Sequence, residues 1–355
     1  MRVVSVVGAR PQFIKAAVVS RALRARHEEI LVHTGQHYDA NMSDVFFSEL
    51  PLPAPERHLG VGSGTHGRQT GDMLGRIEAV LVDVRPDVVL VYGDTNSTLA
   101  GALAAAKLHI AVAHVEAGLR SFNRRMPEEI NRLVADHVSD WLYCPTAAAQ
   151  RNLEREGIQR GVVVGDVMYD LLLEQVATLP PADATLRDLN VQPGAFYLAT
   201  IHRAENTDDG ARLRAIMNGL SDLDRPTILP LHPRTRHALE DLGLLASPHA
   251  HNLQVVQPLG YLQMLQLERS AAAIITDSGG VQKEAYLLSV PCVTVRDETE
   301  WVETTEDGWN VLVGADAKKI AAAARRSKPG VPIQSHFGQG DAAKRIVRHL
   351  EENAR

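Results

Sequence analysis

The sequence predicts an α/β protein built from two successive Rossmann-like domains, and three observations predict it. Short runs rich in β-branched residues alternate with longer segments of helical periodicity, which is the mark of a parallel sheet with helices on both faces. The alternation breaks near Pro180-Pro181 and then restarts. The chain has 355 residues, more than one hydrophobic core usually serves.

Taken in order, Val3–Val7, Glu29–His33, Val88–Tyr92, Ile110–Val115 and Trp141–Cys144 read as buried strands. Between them, Pro11–Arg24, Asn96–Lys107 and Pro127–Val138 carry helical periodicity. The polar stretch Thr178–Leu189 follows, and a domain boundary belongs within residues 168–192. The second series has strands at Phe196–Ile201, Thr227–Leu231, Leu253–Val256, Ala272–Thr276, Cys292–Val295 and Val311–Val313, with helices such as Gly210–Leu223 and Gly280–Leu288. The expected division is residues 1–170 and 171–341, with a C-terminal amphipathic helix, about residues 342–355, crossing back onto the first domain. Two such halves facing each other leave a cleft at the carboxyl ends of both sheets, where open α/β sheets bind ligands.

Composition narrows the function. Apolar residues make up 45% and charged residues 23%, as in ordinary globular proteins. A formal charge of −6 argues against a nucleic-acid surface and gives no reason to expect a membrane patch. The two cysteines, Cys144 and Cys292, offer neither a disulfide framework nor CxxC metal spacing, which fits a reducing cytoplasm. The first apolar run is too short for a signal peptide, and no stretch approaches the roughly 20 apolar residues that span a bilayer. His33 with His37 is the nearest approach to a metal pair, but no third ligand follows in sequence.

Unusual polar residues gather at the predicted strand ends. The first strand ends in Gly8-Ala9-Arg10-Pro11-Gln12-Phe13-Ile14-Lys15, where the glycine permits a tight turn and proline suits a helix start. Arg10 and Lys15 then direct cations toward the cleft. The run is not GxGxxG, so a nicotinamide or flavin cofactor is unsupported. Asp94 stands at the tip of Val88–Tyr92; taken singly it fits a helix cap as well as a catalytic acid. Glu116, directly after Ile110–Val115, is harder to dismiss, because capping prefers shorter side chains. Glu128 falls in a helical first turn, where the dipole alone favours carboxylates.

The second half adds His202 after Phe196–Ile201, His232 after Thr227–Leu231, and Asp277-Ser278-Gly279-Gly280 after Ala272–Thr276, with Glu284 in the following helix. Free backbone N–H groups at Ser278, Gly279 and Gly280 suit a diphosphate, although a plain turn uses the same residues. Each feature has its own structural explanation. Jointly they point to cleft chemistry on an anionic nucleotide.

On these residues the chain resembles the non-hydrolysing UDP-N-acetylglucosamine 2-epimerases along essentially its full length. The runs that carry the resemblance are residues 8–15, 93–98, 114–120 (His-Val-Glu-Ala-Gly-Leu-Arg), 127–132 (Pro-Glu-Glu-Ile-Asn-Arg), 202–206, 232–235 and 277–285. The resemblance implies a fold of the glycosyltransferase-B type, a homodimer, no cofactor and a role in cell-surface polysaccharide precursor synthesis. It implies that Asp94, Glu116 and Glu128 transfer protons, with His202 in the same site. Arg10, Lys15, Ser278, Gly279, Gly280 and Glu284 are then expected to hold the UDP moiety, with His232 and Arg120 among the further substrate contacts.

The chemistry accounts for this inventory. A C2–H bond with no adjacent carbonyl is far too weak an acid for simple removal, so departure of UDP from C1 must assist. Two proton-transfer groups on opposite faces of C2 and cations for the leaving diphosphate follow. Crowded carboxylates are expected to raise one another's pKa.

Two departures from the family pattern stand out. Many members have Thr-Glu-Arg-Pro-Glu where this chain has Thr-Glu-Trp-Val-Glu at 299–303, and Trp301 cannot replace the charge, so stacking is expected. With Arg-Ser-Phe-Asn at 120–123, this looks similar to the branch acting on UDP-2,3-diacetamido-2,3-dideoxyglucuronate, for which Arg120, Arg124 or Arg125 would meet the carboxylate. Gly-Gln-His-Tyr-Asp at 35–39 also differs from the Gly-Gln-His-Arg of members activated by substrate at a second site. The strongest rival is a retaining glycosyltransferase on the same fold, which has no need of the acid trio.

Overall fold

In a computed structural model of the chain, the most apolar strands lie at the middle of two parallel sheets. Residues 1–36, 52–244, 252–331, 333 and 335–354 are described. They form two compact units, Met1–Ala177 with Ser335–Arg355, and Thr178–Gln334.

The first unit contains β1 Arg2–Val7, β2 Glu28–His33, β3 Arg57–His58, β4 Val88–Tyr92, β5 Ala111–Val115, β6 Trp141–Cys144 and β7 Gly161–Val163. They form a seven-stranded sheet in the order β3-β2-β1-β4-β5-β6-β7, with every neighbouring pair parallel. Helices cover both faces, so β4 is buried along its whole length and reads as an uninterrupted apolar run. The chain leaves β1 toward β2 and leaves β4 toward β5, in opposite directions. This reversal opens a crevice at the carboxyl ends of β1 and β4, the usual ligand position in such sheets.

Helix Asn96–Lys107 follows β4 and is almost entirely small residues, so it lies close on the sheet. A Cβ at Gly101 would sit 3.0 Å from a Val91 methyl and 3.3 Å from one on Val6. The Thr95 hydroxyl caps this helix by accepting from the Thr98 amide. Close packing and capping together fix the turn that carries Asp94.

The C-terminal helix Ala342–Asn353 packs on helix Arg10–Arg24. Ile346 and Leu350 are fully buried, each contributing about 1.5–3 kcal/mol of apolar burial. Asp170 anchors the helix start, accepting from the Ala342 and Ala343 amides at 3.1 and 2.8 Å.

The second unit repeats the plan with β8 Tyr197–Thr200, β9 Thr227–Pro230, β10 Leu253–Val256, β11 Ala273–Thr276, β12 Cys292–Thr294 and β13 Asn310–Leu312, ordered β10-β9-β8-β11-β12-β13. Its reversal point lies between β8 and β11, and apolar clusters fill both faces of the sheet. The expected strands of both series are present with ends shifted by at most a residue or so. The edge strands β3 and β7, two and three residues long, were not expected from sequence, because so short a segment produces no period. No helix among the described residues is long and apolar enough to cross a membrane.

Candidate functional site

In the first unit, the crevice at β1 and β4 is assembled around Gly8. A Cβ there would fall 2.1 Å from both Ser97 Oγ and Thr34 Oγ1, so only glycine fits. Gln12 then joins the two strand ends: its Oε1 accepts from the Gly8 and Ala9 amides, and its Nε2 donates to the Tyr92 carbonyl and Thr98 Oγ1. Arg10 opens the helix that follows, and Lys15 lies one turn further on.

Lys15 reaches across to the end of β5, where its Nζ is 2.5 Å from Glu116 Oε1, and both side chains are buried. Glu116 has φ of 71°, a left-handed conformation that costs a non-glycine residue on the order of 1–3 kcal/mol and recurs at functional sites. Two amides, of Glu116 and Ala117, hold it there by donating to the Tyr143 carbonyl. Gly93 makes room for the pair: a Cβ on it would meet Lys15 Nζ at 2.8 Å.

Asp94 faces Arg132, which donates to Asp94 Oδ2 from Nη2 at 2.6 Å and Nε at 3.1 Å. Arg132 also pairs with Glu129 at 2.7 Å, and Glu129 in turn accepts from the Ser121 and Phe122 amides. Asn131 donates to the Asp94 carbonyl. Glu128 is half-buried in the first turn of this helix, Pro127–Val138, four residues before Arg132. Residues four apart share a helix face, so the stripe bearing Glu128 is the one directed at Asp94. Asp94 and Glu116 thus each rest against a buried cation.

Arg120 departs from its expected place among the substrate contacts. It is buried, donating to Asp136, both oxygens of Glu156 and the Leu119 carbonyl, which occupies the guanidinium in the fold. Burial opposes its charge, but Glu156 and Asp136 more than offset this and raise its pKa.

In the second unit, Asp277 at the end of β11 is fully buried and gathers the loop after β8. It accepts from the His202 and Arg203 amides and from Asn206 Nδ2, all near 3.0 Å. His202 and His232 come together, with ring centroids 5.8 Å apart. His232 caps helix Pro233–Asp241, its Nδ1 accepting from the Arg234 amide.

Ser278 is the N-cap of helix Gly279–Leu287 and makes no side-chain cap bond, but its own amide, expected to be free, donates to Thr276 Oγ1 at 2.9 Å, so the helix start suits an anion from Gly279 onward. Gly279 is held tight: a Cβ would lie 2.6 Å from Glu300 Oε1 and 3.0 Å from Trp301 Nε1. Glu284 is buried in the same helix. Trp301 makes a cation–π contact with the buried Lys283, whose Nζ lies 3.9 Å from its ring centroid.

Sequence reasoning passed over Gln12, His114, Asn131, Arg132, Asp136 and Asp277 as site residues. All but Asp136 lay inside the quoted motifs at polar positions, and all six are buried, which in a polar residue signals a partner. Among the described residues no group of three or more His, Cys, Asp or Glu is placed to hold a metal. His37, and with it most of the 35–39 run, lies outside the described residues.

A family model described as UDP-N-acetylglucosamine 2-epimerase matches residues 21–351. The chain is 52% identical over 354 residues to the UDP-N-acetylglucosamine 2-epimerase homolog of Methanococcus maripaludis, covering 99% of each. It is also 52% identical over 364 residues to the UDP-2,3-diacetamido-2,3-dideoxy-D-glucuronate 2-epimerase of Pseudomonas aeruginosa, again covering 99% of each. A crystal structure of the Methanocaldococcus jannaschii UDP-GlcNAc 2-epimerase in complex with UDP-GlcNAc and UDP matches with a TM-score of 0.93 at 44% identity, covering 99% of this chain and 100% of that one. The fold is therefore α/β of the glycosyltransferase-B type.

Proposed function

Because the chain belongs to the UDP-N-acetylglucosamine 2-epimerase family, we propose that this isomerase interconverts UDP-GlcNAc and UDP-ManNAc without hydrolysis, by eliminating and re-adding UDP. The observation that carries the reading is the pair of carboxylates at neighbouring strand ends of the first unit, Asp94 and Glu116, each held by a buried cation.

A carboxylate takes the C2 proton; the C–H electron pair becomes the C1=C2 bond of a glycal, and the C1–O bond breaks with its electrons leaving on UDP. Protonation of C2 on the opposite face and return of the UDP oxygen to C1 complete the inversion. Asp94, Glu116 and Glu128 form the acid/base set, and Arg10 and Lys15 supply positive charge to the departing diphosphate. In the second unit, the amides of Gly279 and Gly280, in the helix start capped by Ser278, hold the diphosphate, Glu284 accepts from ribose hydroxyls, and His202 and His232 sit near the phosphates. The enzyme works as a cytoplasmic homodimer, without cofactor, in polysaccharide precursor synthesis.

A second reading, the diacetamido-uronate as substrate, is favoured by the Trp301-Val302 variant and by the Pseudomonas aeruginosa relative. With Arg120 engaged internally, Arg124 and Arg125, both exposed, are the cations left for a uronate.

Incubation with UDP-GlcNAc in deuterated water, followed by proton NMR, tests the proposal. Deuterium at C2 and a mixed gluco/manno pool still bearing UDP are expected. Turnover of the diacetamido-uronate alone would move the assignment to the second reading, and sugar transfer without C2 exchange would replace both with a glycosyltransferase.

A further inference from the structure

The carboxylates assigned to proton transfer stand on three separate segments: Asp94 follows β4, Glu116 follows β5, and Glu128 opens helix Pro127–Val138. One buried cluster bonds to all three segments. His114, within β5, has Nδ1 2.7 Å from Asp136 Oδ1 and Nε2 2.7 Å from the Gly93 carbonyl oxygen. Asp136 lies two turns beyond Glu128 on the same helix, and its Oδ2 accepts from the Gly118 amide at 3.1 Å and Arg120 Nη1 at 2.7 Å. The side chains of His114 and Asp136 are wholly shielded from solvent.

The geometry sets one proton position. The Gly93 carbonyl can only accept, so Nε2 of His114 donates to it, while Nδ1 lies against Asp136 Oδ1. Burial alone would push that carboxyl up, but His114 and Arg120 hold it below the ordinary carboxylate range.

The bonded groups are peptides that border the reacting residues. The Gly93 carbonyl shares one rigid plane with the amide of Asp94, so fixing its direction fixes the Cα of Asp94. The Gly118 amide lies two residues past Glu116, in the turn whose strained start is Glu116 itself. Gly93 and Gly118 both have positive φ, 62° and 80°, and would otherwise have more conformational freedom than other residues.

We propose that His114 and Asp136 are positioning residues for the epimerisation, setting Asp94, Glu116 and Glu128 relative to one another through the backbone; the proposal rests on the acid/base assignment above. It predicts that the cluster governs the rate of the chemical step and leaves nucleotide affinity alone.

The test uses the full-length chain with His114→Phe and His114→Gln. In His114→Phe, kcat for C2 deuterium exchange is expected to fall about 100-fold, the scale of a misplacement near 1 Å, while KM and UDP affinity change little; the melting temperature falls as well, because Asp136 and the Gly93 carbonyl lose a buried partner. His114→Gln restores a donor to the Gly93 carbonyl and is expected to recover part of that loss. Wild-type turnover in His114→Phe would overturn the proposal, as would parallel loss of kcat, UDP affinity and melting temperature in both variants. If neither variant folds, a long-range proton–nitrogen correlation spectrum of the wild-type ring decides: a protonated Nε2 supports the bond to the Gly93 carbonyl and a bare Nε2 overturns it. Wild-type protein that exchanges no deuterium on either candidate substrate would overturn the acid/base assignment, and the positioning role with it.

Discussion

Lys15 Nζ and Glu116 Oε1 lie 2.5 Å apart in a nearly solvent-free setting, and they join the helix after β1 to the end of β5. Removing one member of a buried pair costs about 3–5 kcal/mol, because the other loses its counter-charge. Lys15→Met is therefore expected to lower stability on that scale. Glu116→Gln should cut kcat by roughly 10²–10⁴ through loss of a proton carrier. The double variant should regain stability relative to Lys15→Met, since neither charge is left alone, but no activity. Denaturant melts and C2 exchange measure both; Lys15→Met as stable as wild type would refute the coupling.

Arg132 grips Asp94 with two nitrogens and Glu129 with a third, a fork that lysine cannot reproduce. Arg132→Lys should leave the fold intact, lower stability by about 2 kcal/mol, and reduce kcat with UDP affinity retained. Unchanged kcat would show that Asp94 needs no such partner.

These two pairs also mark where sequence reading stops. The strands at the sheet centres were legible because burial on both faces makes them continuous apolar runs, as in Val88–Tyr92. The tips were legible because Glu116 directly follows such a run and Asp94 follows one after a single glycine. What sequence could not supply was pairing at long separation: Lys15 finds Glu116 101 residues away, and nothing in either motif names its partner. For the same reason Arg120 looked available for substrate, whereas the partners that occupy it, Asp136 and Glu156, lie 16 and 36 residues on.

His33 ends β2 stacked on His58, with centroids 4.5 Å apart, and its Nδ1 accepts from the Gly35 amide. Burial first, and then the neighbouring His58, lower its pKa from 6.5 to about 4. Between these values the unfolded chain binds more protons than the native one, so stability falls as pH falls. The contribution is complete above pH 6.5 and is lost on descent through pH 4. His33→Asn keeps an acceptor for Gly35 and removes the titration, so its stability should vary less from pH 7 to pH 4 in denaturant melts. A His33 ring that titrates near its ordinary value by NMR would contradict the sign.

Asp277 tests the division of labour between the two units. Its carboxylate accepts from two backbone amides and Asn206, and so shapes the loop bearing His202 beside the Ser278 helix start. A carboxamide offers one acceptor oxygen and an NH₂ that must face a donor. Asp277→Asn therefore leaves a buried donor unsatisfied, at a cost of about 1–3 kcal/mol. If the second unit carries the nucleotide, part of that cost appears as UDP affinity about tenfold weaker by calorimetry, since 1.4 kcal/mol is one decade. Exchange per bound substrate should change less, the reverse of the pattern expected for Glu116→Gln and Arg132→Lys. Unaltered UDP affinity in Asp277→Asn, with the loop still folded, would take nucleotide binding away from this end of β11.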